Sequence, residues 1–213
     1  MEDLASGMLN TKNALSPGLW LVCVVLLHPF FLKAQFLKKL VPDDAIVQYA
    51  GSIGFLSAGL GYDLFGNKRG SLDFNFGYVP KTAGGPLRIL SLKFAYRPWK
   101  VSFGKWGTFY PLNPGTFLSY HFGKDYDFQW DENQYVKGYY WWSSALRPHL
   151  SFSNEVKLNL KKIFNSKAPG LQSISIYSEF NTNELYLISF LQNVDALSVT
   201  HIFKVGFGLR LRF

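Results

Sequence analysis

Phe203-Lys204-Val205-Gly206-Phe207-Gly208-Leu209-Arg210-Leu211-Arg212-Phe213 alternates without a break. Phe203, Val205, Phe207, Leu209, Leu211 and Phe213 are apolar; between them stand Lys204, Gly206, Gly208, Arg210 and Arg212. Successive side chains of a strand point to opposite faces, so this segment has one apolar and one charged face. The same rhythm returns upstream. Leu56, Ala58, Leu60, Tyr62 and Leu64 oppose Ser57, Gly59, Gly61 and Asp63. Leu72, Phe74, Phe76 and Tyr78 oppose Asp73, Asn75 and Gly77. Leu90, Leu92, Phe94 and Tyr96 oppose Ser91, Lys93, Ala95 and Arg97. Leu150, Phe152, Val156, Leu158 and Leu160 oppose His149, Ser151, Ser153, Glu155, Lys157 and Asn159.

Composition narrows what these strands can be. The 213 residues are 48% hydrophobic, 18% aromatic and 17% charged, against roughly 25% charged in an average soluble domain. Such a chain is too apolar to stay disordered. One cysteine, Cys23, excludes a disulfide scaffold. No stretch beyond residue 34 has the ~18 consecutive apolar residues of a spanning helix. The amino end is an address: Lys12 is a basic n-region, Leu19 to Leu27 an apolar core, and Ala34 before Gln35 a cleavage point. Val22 before Cys23 is not the small residue that a lipid-attachment site needs. The expected division is a cleaved signal peptide over 1–34 and one β-rich domain over 35–213.

The polar face decides between two architectures. In a soluble sandwich the apolar faces meet in a core and the polar faces meet water. In a membrane barrel the apolar face meets lipid and the polar face lines the interior. Strands of ~9–11 residues suit the second case. So does the wealth of Tyr and Trp, which settle at membrane interfaces; Tyr62, Tyr78, Tyr96, Trp99, Tyr110, Tyr120, Tyr139, Tyr140, Trp141 and Trp142 are girdle candidates. In hydrocarbon an unpaired backbone N–H or C=O costs several kcal/mol, so a sheet there must close on itself. The sequence therefore predicts an all-β chain, a transmembrane antiparallel up-and-down β-barrel.

The ending carries a resemblance. Lys204, Gly206, Leu209, Leu211 and terminal Phe213 resemble the carboxy-terminal insertion signal of outer-membrane β-barrel proteins of Gram-negative bacteria. That resemblance implies recognition by the barrel-assembly machinery and residence in the cell outer membrane. The carboxy-terminal third, with Asn181-Thr182-Asn183-Glu184-Leu185-Tyr186-Leu187, is similar to a group of small outer-membrane barrels without a nameable activity.

Eight strands are expected, at 46–65, 70–79, 87–97, 115–123, 145–160, 172–180, 184–193 and 198–213, with ten as the alternative if 99–110 and 134–144 hide two more. Both chain ends of such barrels are periplasmic and periplasmic turns are short. This count puts turns 80–86 and 181–183 on the periplasmic side, together with 124–144, which is too long for it. An eight-stranded barrel is just wide enough to be filled by side chains. Inward Lys93, Arg97, Lys157, Lys204, Arg210 and Arg212 then need partners, which Asp63, Asp73, Glu155 and Glu179 can supply, because unpaired buried charge is very costly.

Chemistry is sparse. His149, Ser151 and Glu155 stand at spacings of two and four on one strand face, and such a set can activate a serine. His149-Leu150-Ser151 resembles the His-x-Ser of small-barrel lipid A deacylases, but on this strand it shares the inward face. His121 and His201 are isolated. No cluster has metal spacing, no glycine-rich phosphate loop is present, and no cofactor is implied. The net charge of +8 needs no nucleic acid in an exported chain; outer-membrane lipid and lipopolysaccharide are nearer partners, with Lys68, Arg69, Lys161, Lys162 and Lys167 as contacts. Segment 124–144, with Asp125, Asp127, Asp131 and Glu132 before Tyr139-Tyr140-Trp141-Trp142, is the candidate surface for an envelope protein partner. The functional expectation is a non-enzymatic structural or accessory envelope barrel. A lipid A-modifying barrel enzyme and a narrow pore or small-ligand transporter are the alternatives.

Overall fold

The computed structural model describes residues 40–128, 143–164 and 170–213, and the fold is that of the unit Pro42–Phe213. The apolar stretch 19–32 and the cut after Ala34 lie outside the described residues. Nine strands form: β1 Asp44–Ala50, β2 Leu56–Leu64, β3 Gly70–Val79, β4 Leu87–Tyr96, β5 Val101–Phe103, β6 Gly107–Phe122, β7 Leu146–Asn159, β8 Ser173–Asn183 and β9 Lys204–Arg212. Every pairing is antiparallel. Strand β4 passes over three-residue β5 to pair with β6, and β1 pairs with β9 from Asp44↔Arg212 to Ala50↔Gly206. The result is a closed eight-stranded barrel without a free edge.

The faces sort inside out. Among the described residues, 23 buried side chains are polar or charged and only seven are hydrophobic, the reverse of an ordinary interior. Every wall strand turns large apolar groups outward, among them Val47, Leu60, Phe76, Leu92, Leu118, Leu150, Ile176 and Leu209. Alternation is enough to produce this, because one residue of slip would exchange the two faces of a whole strand.

The strand total agrees with eight, but two of its members differ. Segment 46–65 is not one strand. It is the hairpin β1–β2, turned by Gly51-Ser52-Ile53-Gly54-Phe55, in which Gly54 takes φ +128°, a conformation open to glycine and strained for other residues. The turn folds inward and buries Ile53 at 1% exposure. A Cβ on Gly77 of β3 would collide with the Ile53 carbonyl oxygen, so Gly77 makes room for that turn. Segment 184–193 is not a strand either. It forms a helix, after the short α1 (Leu160–Ile163): α2, Glu184–Gln192. Its apolar residues do not alternate, the Asn183 side chain accepts from Tyr186 N at 2.9 Å, and Glu184 sits in the first turn, a capped helix start. A third helix, α3 (Val199–Ile202), precedes β9. One strand is split and one is lost, so the total stands.

Strand β6 is also longer than 115–123. It starts at Gly107 and carries Pro111 and Pro114, with its register to β7 shifting between Tyr110 and Asn113. A bulge of this kind is where a strand can hold proline. Segment 101–103 gives only β5, which pairs with β6 alone, so it adds no wall strand; 134–142 lie outside the described residues.

Splitting 46–65 exchanges the end at which every later turn falls. The connections 65–69, 97–106 and 160–172 stand at the end that carries both ends of the barrel chain. The connections 51–55, 80–86, 123–145 and 184–203 stand at the opposite end. Turns 80–86 and 124–144 are therefore remote from the termini, and 181–183 is the last part of β8 instead of a turn. No described helix is long and apolar enough to cross a membrane.

Candidate functional site

Inward charges meet inside the wall. Arg210 on β9 donates from Nη1 to Asp44 Oδ2 at 3.1 Å and from Nη2 to Asp73 Oδ2 at 2.7 Å. Two residues on, Arg212 donates from Nε to Asp44 Oδ1 at 2.9 Å and from Nη2 to Asp63 Oδ1 at 2.7 Å. Arg97 at the end of β4 reaches Glu155 Oε2 on β7 at 3.2 Å and Asp63 Oδ1 at 3.9 Å. Deeper, Lys93 Nζ lies 2.7 Å from Glu179 Oε2 and donates to Gln48 Oε1 at 3.1 Å, and the Tyr177 hydroxyl donates to the same oxygen at 2.9 Å. The chain continues through Asn181 Nδ2 to Glu179 Oε1 at 3.2 Å and Ser52 Oγ to Asn181 Oδ1 at 2.5 Å. Charges this deep are retained where they are paired and hydrogen-bonded. Between these groups the barrel's middle leaves a void of about 20 Å³.

Of the ten residues expected in the inner network, Asp63, Asp73, Lys93, Arg97, Glu155, Glu179, Arg210 and Arg212 join it. Lys157 does not. It is half-buried on the inner wall, and among the described residues no carboxylate lies within 4 Å of it. Lys204 is exposed at the far rim, its Nζ 5.4 Å from the Tyr186 ring centre. The sequence reading started its first strand at 46 and so missed Asp44, the carboxylate shared by Arg210 and Arg212. Carrying the alternation back from Gln48 through Ile46 would have found it. It also missed Arg147, which holds Glu184 at 2.8 Å and the carbonyls of Ser143 and Ser144 at 2.8 and 3.0 Å. Those two serines close the neck of the 123–145 connection against the backbone of Asp127, with Ser143 Oγ donating to Asp127 O at 3.0 Å and Asp127 N to Ser144 Oγ at 2.8 Å. The rest of that segment, 129–142, lies outside the described residues.

His149, Ser151 and Glu155 all face inward and are buried, but they do not assemble. His149 Nε2 lies 2.9 Å from Ser119 Oγ on β6, and its ring stacks on Phe117 at 4.1 Å. His149 Nδ1 has no hydrogen-bond partner among the described residues. Glu155 is engaged by Arg97. An activated serine needs its base oriented by a third group, and here the imidazole has none. His121 Nε2, 3.3 Å from Ser119 Oγ, and His201 in α3 bring no carboxylate either. Among the described residues no three His, Cys, Asp or Glu side chains gather as a metal site would need.

A cavity of about 410 Å³ opens at the mouth on the termini's end. Lys68 and Arg69 reach it from turn 65–69 and Lys100 from 97–106. Its walls are Lys157 and Tyr110, and its floor is the network of Arg97, Arg210 and Arg212. Among the described residues, Glu155 is the single carboxylate on its lining. A mouth so built attracts anions, because a concave wall of one charge sign concentrates the field. No protein-family model, curated protein or solved structure matches this chain.

Proposed function

We propose that this chain is an integral β-barrel of a Gram-negative outer membrane, with a structural or accessory role in the envelope and no enzymatic activity. One observation carries the reading: a closed wall whose polar residues are buried and whose apolar residues ring the outside. Phe74, Phe76, Leu90, Leu150, Ile176 and Phe207 each leave about 40–60% of their surface bare. A continuous exposed apolar belt marks an interaction surface, and on a barrel with a polar interior the matching solvent is lipid.

Placing both barrel ends on the periplasmic side puts the long connections 123–145 and 184–203 outside the cell, where such barrels carry their longer loops. The misfit of 124–144 then vanishes. This side also suits contact with lipopolysaccharide or an envelope protein through 124–144. Lys204, Gly206, Leu209, Leu211 and Phe213 serve as the insertion signal read by the assembly machinery. In support, Gly206 stands on the closing seam, where a Cβ would press on Gln48 Nε2 at 2.6 Å. The packed middle, with its void of about 20 Å³, favours a plugged barrel over a conducting one.

The reading is tested by fractionating cells that make the protein. The expected result is an alkali-resistant membrane protein whose gel mobility changes on boiling, with β-rich circular dichroism. Recovery in the soluble fraction, or mobility indifferent to heat, overturns it.

A further inference from the structure

We propose that the basic mouth is a binding site for a small phosphate-bearing polyanion. This goes beyond the barrel reading: the cavity carries it, and only the detergent, nanodisc and mobility arms of its test rest on that reading.

Three observations converge. First, the charges of the mouth do not balance. Seven cations line it, and the carboxylates in contact with them are Asp44, Asp63, Asp73 and Glu155, leaving three positive charges in excess. Second, two donors within the lining are not satisfied. Half-buried Lys157 has no carboxylate within 4 Å among the described residues. Arg210, paired through its Nη atoms with Asp44 and Asp73, leaves Nε buried without a hydrogen-bond partner there. An ammonium partly removed from water without a contact ion pair is costly, so an anion arriving from solution relieves Lys157. Third, the approach is graded. Lys105, Lys161 and Lys162 add positive charge in the connections around this mouth, and those connections hold no acid.

An anion drawn inward meets Arg and Lys donors from several walls. Arginine forks and lysine charges together suit the tetrahedral oxygens of phosphate, and two phosphates come near to neutralising an excess of three. The volume of about 410 Å³ falls within the ~300–1,000 Å³ of small-molecule pockets. The phosphate can belong to a soluble ester or to the headgroup of an anionic phospholipid at the rim.

Pyrophosphate is the probe, titrated calorimetrically into the full mature chain in neutral detergent and then in phosphatidylcholine nanodiscs. The expected result is saturable one-to-one binding that weakens with salt. Lys157→Gln should weaken it by about tenfold or more, the loss of one charged hydrogen bond, while Lys157→Arg keeps it and Lys81→Gln, at the opposite end of the barrel, leaves it unchanged. Heat-modifiable mobility checks that Lys157→Gln folds; should it not, Lys100→Gln at the exposed mouth serves instead, with a weakening expected. Replacing part of the phosphatidylcholine by phosphatidylglycerol separates the sources: competition with pyrophosphate identifies a lipid headgroup, and indifference a soluble ligand. No saturable binding, or binding untouched by these mouth variants, overturns the proposal.

Discussion

The two ends of this barrel share one wall and differ in almost everything else. The connections 65–69, 97–106 and 160–172 contain eight Lys and Arg and no acid. The opposite connections, 51–55, 80–86, 123–145 and 184–203, contain six Asp and Glu against three Lys. The first end opens into a cavity of about 410 Å³. At the second, among the described residues, the inward turn with buried Ile53, the stacked Phe117 and His149, and the Arg147–Glu184 link to α2 fill the bore. Closure of the sheet demands none of this, because backbone pairing is the same from rim to rim. The lesson is that the strands supply a container and the connections supply its polarity, as expected where function sits on loops held by a rigid scaffold.

The largest effect expected of that difference is all-or-none. Single cysteines placed at Lys81 and at Lys100, in a chain whose Cys23 is replaced by serine, should react oppositely with an impermeant maleimide in intact cells. Lys81→Cys should label and Lys100→Cys only after the outer membrane is permeabilised. Labelling in the reverse order inverts the orientation, and equal labelling breaks the contrast.

Next in size is Arg210→Ala, which leaves Asp44 and Asp73 buried without their shared cation. Removing one partner of a buried pair costs roughly 3–5 kcal/mol, to be read from denaturant unfolding in lipid vesicles. A loss under about 1 kcal/mol would mean that water reaches the floor of the mouth and that the network is no sealed interior. The smallest effect belongs to the other end. Asn183→Ala removes the cap of α2 and should cost about 1 kcal/mol, seen as faster proteolysis within 184–203 with the barrel's melting little changed. If the whole barrel melts earlier by several degrees, α2 supports the wall instead of merely sitting above it.

Much of this molecule is written in local pattern. Alternation in 203–213, 70–79 and 87–97 assigns each side chain to a face, and a sheet with lipid-like outer residues must close. Leu209 outside and Arg210 inside follow from parity alone. Where alternation meets a competing local rule, the pattern misleads. Segment 46–65 changes phase across the turn of Gly51 and Gly54, with Val47 and Tyr49 outward at odd positions and Leu56 and Leu60 outward at even ones, and 184–193 is apolar enough to pass for a strand although Asn183 and Glu184 announce a helix.

Chain order and residue type are therefore sufficient for the faces, the sign of the interior and the closed wall, because strand geometry has a period of two whatever surrounds it. They are not sufficient for which cation meets which carboxylate, for the end at which each loop emerges, or for the cavity beside Lys157. Arg210 and Asp73 are 137 residues apart in the chain, and their meeting depends on register and on barrel radius, quantities that exist only once all eight strands have closed.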